Sequence, residues 1–333
     1  MMKRRAAVKI LGAATLGVGL GLESRARAAE AIKIATVASP TSPWGRVFKT
    51  WADAVKKKTN EEVELQFFWN ATQGEESGMV GKMKDGQLDG AALTAVGLGK
   101  IHKPILALQI PGLFTTWSKL DNARNAMKGD FEKGMADAGF SLLGWGDVGA
   151  AHVMSKGFPV NTPDDFKGKK PQMWRDDPLQ PILFQIIGGV TPVPLNLPEV
   201  LPNLNTDTID IVTAPSLAAE LAGWTGKLDT IVTGVAGMVI GGLVISSKRL
   251  ASLSEENRNV VTDTGRTAAN SLTKAVRKAD DEAFGRIKGK MTAVDLSPDD
   301  QAKWDNTLKQ TRDRLKQGTF SADLIDKLEH LAN

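Results

Sequence analysis

Residues 31–37, Ala31-Ile32-Lys33-Ile34-Ala35-Thr36-Val37, read as a strand, and the alternation that this strand opens decides the fold. Across residues 44–57, Val47, Phe48, Trp51, Ala54 and Val55 fall at helical spacing, and residues 63–69 read as a second strand. The alternation continues with a helix over 75–87, a short strand over 90–95 and a helix over 122–139 that Gly139 closes. Residues 140–145 and 152–155 are short strand candidates. Strands alternating with helices in this way predict an α/β architecture with largely parallel pairing.

The second half uses the same grammar without repeating the sequence. Thr162-Pro163-Asp164-Asp165 is a helix start, with Thr as N-cap, Pro in the first turn and acids facing the helix dipole. Residues 169–174 read as a strand, and Asp177-Pro178 caps a helix over 179–187. Short elements come next at 193–195, 198–205, 208–213, 217–224, 230–235 and 243–247. From Ser254 the text turns helical, first over 255–290 and then from Ser297-Pro298-Asp299-Asp300 to Leu331, which predicts a C-terminal helical cover. No repeat or polar linker marks a boundary, so several crossings between two halves are expected, with any ligand in the cleft between them.

Charge is unevenly placed. Residues 1–28 carry Lys3, Arg4, Arg5, Lys9, Arg25 and Arg27 against Glu23, an excess of five, so the formal net charge of +4 leaves residues 29–333 at −1. The body of the chain is therefore no phosphate-backbone binder, and no nucleic-acid partner is expected. The charged start, the apolar run 10–22 with its four glycines, and Ala26-Arg27-Ala28 before Ala29 form a secretory signal peptide over 1–28. Arg4-Arg5 resembles a twin-arginine export signal, although Ala7 stands where such signals usually carry Phe, which leaves the general secretory route open. The most apolar later run, 231–245, is interrupted by Gly234, Gly237, Gly241 and Gly242, so a soluble periplasmic protein is expected.

Most chemistries are excluded by the residues themselves. The chain has no cysteine, which removes disulfides, thiolate metal sites and cysteine nucleophiles. Its histidines, His102, His152 and His330, lack metal-ligand spacing, and neither a phosphate loop, a dinucleotide fingerprint nor a Gly-x-Ser-x-Gly elbow is present. No metal, cofactor or catalytic set is expected. Of the acidic pairs, Asp164-Asp165 and Asp299-Asp300 read as helix caps and Asp280-Asp281 as a solvated face. Asp176-Asp177, beside Trp174 and Arg175, is open to two readings, a helix cap or the acid and base of an exported hydrolase. Trp44, Trp69 and Trp174 sit where strands end or the next helix begins, the place where open α/β sheets bind ligands.

Five segments together resemble the solute-binding protein of a tripartite ATP-independent periplasmic (TRAP) transporter. They are Val160-Asn161-Thr162-Pro163-Asp164-Asp165-Phe166-Lys167-Gly168-Lys169-Lys170, Ile187-Gly188-Gly189-Val190-Thr191-Pro192-Val193-Pro194, Glu199-Val200 through Thr208-Ile209-Asp210, Lys82-Met83-Lys84-Asp85-Gly86-Gln87-Leu88-Asp89 and Ser254-Glu255-Glu256-Asn257-Arg258-Asn259-Val260-Val261. The resemblance implies a two-lobed periplasmic binding protein fold with crossing strands and a long interlobe helix. Lobe I would hold 29–147 with about 238–280, and lobe II 148–237 with about 281–333. It also implies closure on a small solute, delivery to integral-membrane permease subunits, and no enzymatic turnover.

The candidate ligand-binding residues are Trp44, Gln73, Thr94, His152, Gln172, Trp174, Arg175, Asp176, Leu197, Thr213 and Ala214, of which Thr94, Gln172, Leu197 and Ala214 fall at positions that line the pocket in relatives. Val37 falls at another such position. Where relatives usually carry an Arg that pairs with a substrate carboxylate, this chain has Gln172, with Arg175 three residues later as the candidate replacement. A second frequent Arg aligns with Ala151, and a frequent Asn with Ala214. The pocket is thus expected to be poor in polar groups and to take a monocarboxylate with an apolar part, or a neutral hydrophobic solute.

Overall fold

The computed structural model describes residues 29–332. The leader at 1–28, with its export signal, lies outside the described residues. The first half builds β1 (Glu30–Thr36), α1 (Pro43–Lys58), β2 (Val63–Phe68), α2 (Glu76–Lys84), β3 (Gly90–Thr94), α3 (Ala95–Ile101), α4 (Trp117–Ala126), α5 (Lys128–Asp137) and β4 (Phe140–Trp145). The second half supplies β5 (Gly149–Ser155), β6 (Gln172–Trp174), α6 (Gln180–Ile187), β7 (Val193–Leu195), α7 (Val200–Asn205), β8 (Ile211–Pro215), α8 (Ser216–Leu221), β9 (Thr230–Val232), β10 (Gly237–Val239) and β11 (Gly241–Ser246). The chain ends in α9 (Ser247–Ala251), α10 (Glu255–Lys288), β12 (Thr292–Val294), α11 (Pro298–Leu315) and α12 (Ala322–Ala332).

The first lobe is a five-stranded sheet in the order β2-β1-β3-β11-β4, with β1 parallel to both β2 and β3. In the second lobe β5 pairs with β8, β9 and β10, every one of them antiparallel, while β12 joins β9 in parallel. Largely parallel pairing therefore holds for the start of the first sheet and fails around β5. The cause is topological: β4 leads directly into β5, and β10 directly back into β11, so these strands cross between lobes instead of returning through a helix.

At the crossing the backbones touch. Gly146 N–H donates to the Gly241 carbonyl at 2.8 Å, and a Cβ on Gly241 would lie 2.6 Å from the Gly146 carbonyl oxygen. Of the glycines that interrupt the apolar run, Gly241 is thus the one that lets two strands pass at the crossing, while Gly234 has nothing within 4 Å of a Cβ.

The 34-residue α10 is the third connection, on the order of 50 Å long at 1.5 Å per residue. Ser254 caps it, and Glu255 and Glu256 occupy its first turn. It packs on α1 and β4 in the first lobe and on β5 and α8 in the second. Asp280, expected on a solvated face, is instead 2% exposed and accepts hydrogen bonds from the Ala150 and Leu217 amides, both at 2.8 Å. Helical spacing alone could not show that this turn of α10 lies over the start of β5 and the N-terminus of α8.

Three further expectations change. The helix expected over 122–139 is two helices, broken at Met127, and the start at Thr162 yields a single tight turn, Pro163–Phe166. Of residues 281–333, expected wholly with the second lobe, α11 packs on α6 there, whereas α12 returns to α4 in the first.

Candidate functional site

Between the lobes lies a cavity of about 780 Å³. The first lobe contributes the ends of β1 and β3, the start of α1 and residues Asn70, Glu75 and Glu76; the second contributes Phe166, residues 174–177, α6, the 195–197 turn and the end of β8. The crossing strands close one side with Gly146, Val148 and Val239. Trp44, Trp174, Trp224, Trp304, Phe166 and Phe184 all reach this wall, which is dominated by apolar groups.

Trp44, Thr94, Trp174, Arg175, Asp176, Leu197, Thr213 and Ala214 line this cavity. Trp44 lies just past the capped entry of α1 and is aimed by its Nε1, which donates to the Asp147 carbonyl at 3.2 Å. Trp174 ends β6 and tilts against the buried Trp224, with ring centroids 6.2 Å apart. Val37 also faces the cavity.

Gln73, His152 and Gln172 are not on the cavity wall. On β5 the side chains of Ala151 and Val153 face the cavity, so His152 between them faces the other way. There its Nδ1 donates between the carbonyls of Val232 and Gly234, both at 3.1 Å, and its ring stacks on Phe284. Burial pushes its pKa below the usual histidine value against those two hydrogen bonds. Gln73 is half-buried and held by Lys82, whose Nζ donates to its carbonyl and side-chain oxygens. Gln172 is buried within β6, and its amide finds no hydrogen-bond partner among the described residues. It is shorter than the Arg it stands in for and does not reach the cavity.

Charge on the wall is lopsided. Arg175 is the one Lys, Arg or His side chain among the described lining residues, facing Glu75, Glu76, Asp176 and Asp177. Its guanidinium pairs with Glu199 at 2.9 Å, both side chains being more than two-fifths exposed, so that pair is weak and exchangeable. Glu76 is spent on structure: it accepts from the Thr94 amide and hydroxyl, each at 2.7 Å, and from the Gly97 amide at 2.9 Å. Asp177 accepts from the Leu179 amide at 2.7 Å, which is the helix-cap reading of the acidic pair. Asp176 accepts from the Ser77 hydroxyl. Burial, then Asp176 and Glu199, pushes the Glu75 carboxyl above its usual range, with Arg175 opposing.

Glu75 and Glu76 went unread in the sequence because two acids before a helix look like ordinary charges of a first turn. Asn70, Gln109 and Gln180 also escaped notice; no spacing distinguishes them from loop residues.

A large, mostly apolar cavity between two α/β lobes, joined by crossing strands and one long helix, defines a two-lobed solute-trapping protein. The chain belongs to the family described as bacterial extracellular solute-binding protein, family 7, which matches residues 34–317. It is 23% identical over 313 residues to the 2,3-diketo-L-gulonate-binding periplasmic protein YiaO of Escherichia coli, covering 91% of this chain and 93% of that protein. A solute-binding protein of Chromohalobacter salexigens is 27% identical over 172 residues, a match that spans only 51% of either chain. Among solved structures, a TRAP periplasmic solute-binding protein of Sulfitobacter with bound β-D-galacturonate superposes with a TM-score of 0.83 at 16% identity, covering 90% of this chain and 100% of that one. One from Desulfovibrio salexigens with bound orotic acid gives 0.79 at 21% identity, covering 91% and 98%. No helix among the described residues is long and apolar enough to cross a membrane.

Proposed function

We propose that this protein is the periplasmic solute-binding subunit of a TRAP transporter. It captures a small organic acid with an apolar body between its lobes and hands it unchanged to membrane permease subunits. In this reading the lobes, 29–147 with about 238–280 and 148–237 with the stretch from about 281 through α11, close on the solute. The observation that carries it is Arg175, the one basic side chain among the described residues that line a mostly apolar and aromatic wall. A carboxylate brought into the cavity needs a charged partner, and displacing Glu199 from Arg175 costs little because that pair is exposed.

The apolar body is inferred from the polar side chains that are already engaged. Ser42 donates to Ser39 and caps Gly45, Thr94 binds Glu76, Gln109 accepts from Ile240, and Gln180 accepts from Trp174. Asn70, Thr115, Thr213 and the carboxylates of Glu75 and Asp176 are the lining groups left for a solute, so a sugar acid would leave several of its hydroxyls against apolar wall, at about 1–3 kcal/mol for each one left unpaired.

The test is a thermal-shift panel of aromatic, branched aliphatic, dicarboxylic and sugar acids. Wild type should gain several degrees with apolar monocarboxylates, and Arg175→Ala should lose that gain. Equal shifts in the two proteins would remove Arg175 as the anchor. The pairing of Arg175 with Glu199 favours a second reading, a neutral apolar solute; uncharged aromatic solutes in the same panel would then shift both proteins alike. Recovering each solute intact by mass spectrometry separates both readings from a hydrolase built on Asp176 and Asp177.

A further inference from the structure

Four acidic side chains are among the described residues that line the cavity, and three of them are already met by donors. Glu76 accepts from the Thr94 amide and hydroxyl and from the Gly97 amide, Asp177 from the Leu179 amide, and Asp176 from the Ser77 hydroxyl. Glu75 is the exception. It stands at the entry of α2 yet makes no side-chain cap, and its carboxylate has no hydrogen-bond or ion-pair partner among the described residues. Burial and the nearby charges of Asp176 and Glu199 disfavour its ionised form, and Arg175 alone opposes them. That opposition is already divided, because the Arg175 guanidinium is paired with Glu199. A solute whose only charge is a carboxylate would take up Arg175 and bring one more negative charge to this wall, where like charges repel. A carboxylate accepts hydrogen bonds and cannot donate them, so an ionised Glu75 calls for a donor, and a cationic nitrogen is the donor that also cancels its charge.

We propose that the solute is amphoteric, a small acid that also carries a cationic nitrogen, with its carboxylate held by Arg175 and its ammonium by Glu75. This rests on the solute-trapping reading and on Arg175 as the carboxylate anchor. Glu75 comes from the first lobe and Arg175 from the second, so the two charged ends of one molecule are read by different walls and its orientation is fixed. Asp176, beside Arg175, adds negative charge at the ammonium end of the field that Glu75 feels. Trp44 and Trp174 line the same cavity, and indole rings suit both an apolar body and the carbon atoms that flank an ammonium. Glu75 is thereby a specificity-determining residue: it rejects an acid without the amine through repulsion as well as through a missing bond.

The test is isothermal titration calorimetry at neutral pH with matched solutes, phenylalanine against hydrocinnamate and leucine against isocaproate, each pair differing only in the ammonium. The wild type should bind the amine-bearing member of at least one pair roughly tenfold more tightly, the ratio expected of one charge-assisted hydrogen bond. Glu75→Gln should erase most of that preference, weakening the amino acid while leaving the bare acid unchanged or tighter. Asp176→Asn, which keeps an acceptor for Ser77, should narrow it in the same direction. Circular dichroism establishes that each variant is folded, and if Glu75→Gln is not, Asp176→Asn decides alone. Bare acids that bind at least as tightly as their amino acids, and lose that binding in Arg175→Ala, would leave the anchor standing and overturn the ammonium site. A preference that survives both acidic variants overturns it too, as does a panel in which no amino acid binds more tightly than its amine-free counterpart, including one in which neither binds.

Discussion

Asp177 is 5% exposed and caps α6 through a short hydrogen bond from the Leu179 amide. Burial pushes its carboxyl up to about 6, against the backbone donors of Leu179 and Gln180 and the charge of Lys100. The unfolded value is 3.8, so the proton is held more tightly in the folded chain. The stability this contributes is complete below pH 3.8 and is lost as pH rises through about 6. Asp177→Asn keeps an oxygen for the cap and does not titrate. Relative to wild type it should gain stability between pH 4 and pH 7, by roughly 2–3 kcal/mol at most. Urea unfolding of both proteins at the two pH values checks this; a difference that stays constant would mean that Asp177 does not change its charge there.

A second residue carries an opposite lesson about buried charge. Asp147, in the crossing between β4 and β5, is fully buried and meets Arg124 at 2.7 Å and Arg277 at 2.6 Å. Asp121 also binds both guanidinium groups: burial alone would raise its pKa, but hydrogen bonds from Arg277 and Arg124 hold it below the usual carboxylate range. Asp147→Ala would leave Arg124 and Arg277 to share the half-exposed Asp121 alone, so it should cost about 3–5 kcal/mol. A shift in the urea midpoint worth less than about 1 kcal/mol would show that water or Asp121 compensates.

At the scale of elements, what was legible depended on whether the signal is local. The spacing of Phe48, Trp51 and Val55 gives α1 to within a residue or two, and Ser254 with its two adjoining acids gives the start of α10. The strand at β10 and the antiparallel pairing around β5 were not legible, because long-range register decides them. His152 shows the sensitivity: one residue of register separates it from Ala151 and Val153, and that single step takes it from the cavity to the opposite face. The position of Trp44 and Trp174 beside strand ends was readable, since that placement depends on chain order alone. The close seating of α10 was not. Gly265 allows Leu143 and Trp51 to approach, a Cβ there lying 2.6 Å from Leu143, and Gly144 allows Ala269 to approach at 2.7 Å. Glycines inside a helix or strand read as weak points until the neighbour that needs the space is known.

The behaviour of the whole molecule is set by how the lobes are joined. Two strands cross between the sheets, α10 contributes apolar side chains along its length from Val261 to Ile287, and its Asp280 ties the start of β5 to α8. Neither lobe keeps an intact core without its share of α10: Val261, Ala269 and Leu272 belong to the cluster of Trp51 and Val55, and Ile287 to that of Trp224 and Ile231. Each fully buried aliphatic side chain contributes about 1.5–3 kcal/mol, so losing α10 would remove several such contributions from both lobes together. The lobes should therefore open and close as rigid bodies yet unfold as one unit. Calorimetry should give a single peak whose van't Hoff and calorimetric enthalpies agree, with near-ultraviolet and far-ultraviolet circular dichroism changing at the same temperature. Two resolved transitions would mean that α10 frays from one lobe first. In that case Asp280→Ala, which cuts the tie to β5 and α8, should widen the gap between the two transitions by lowering the melting of the second lobe alone.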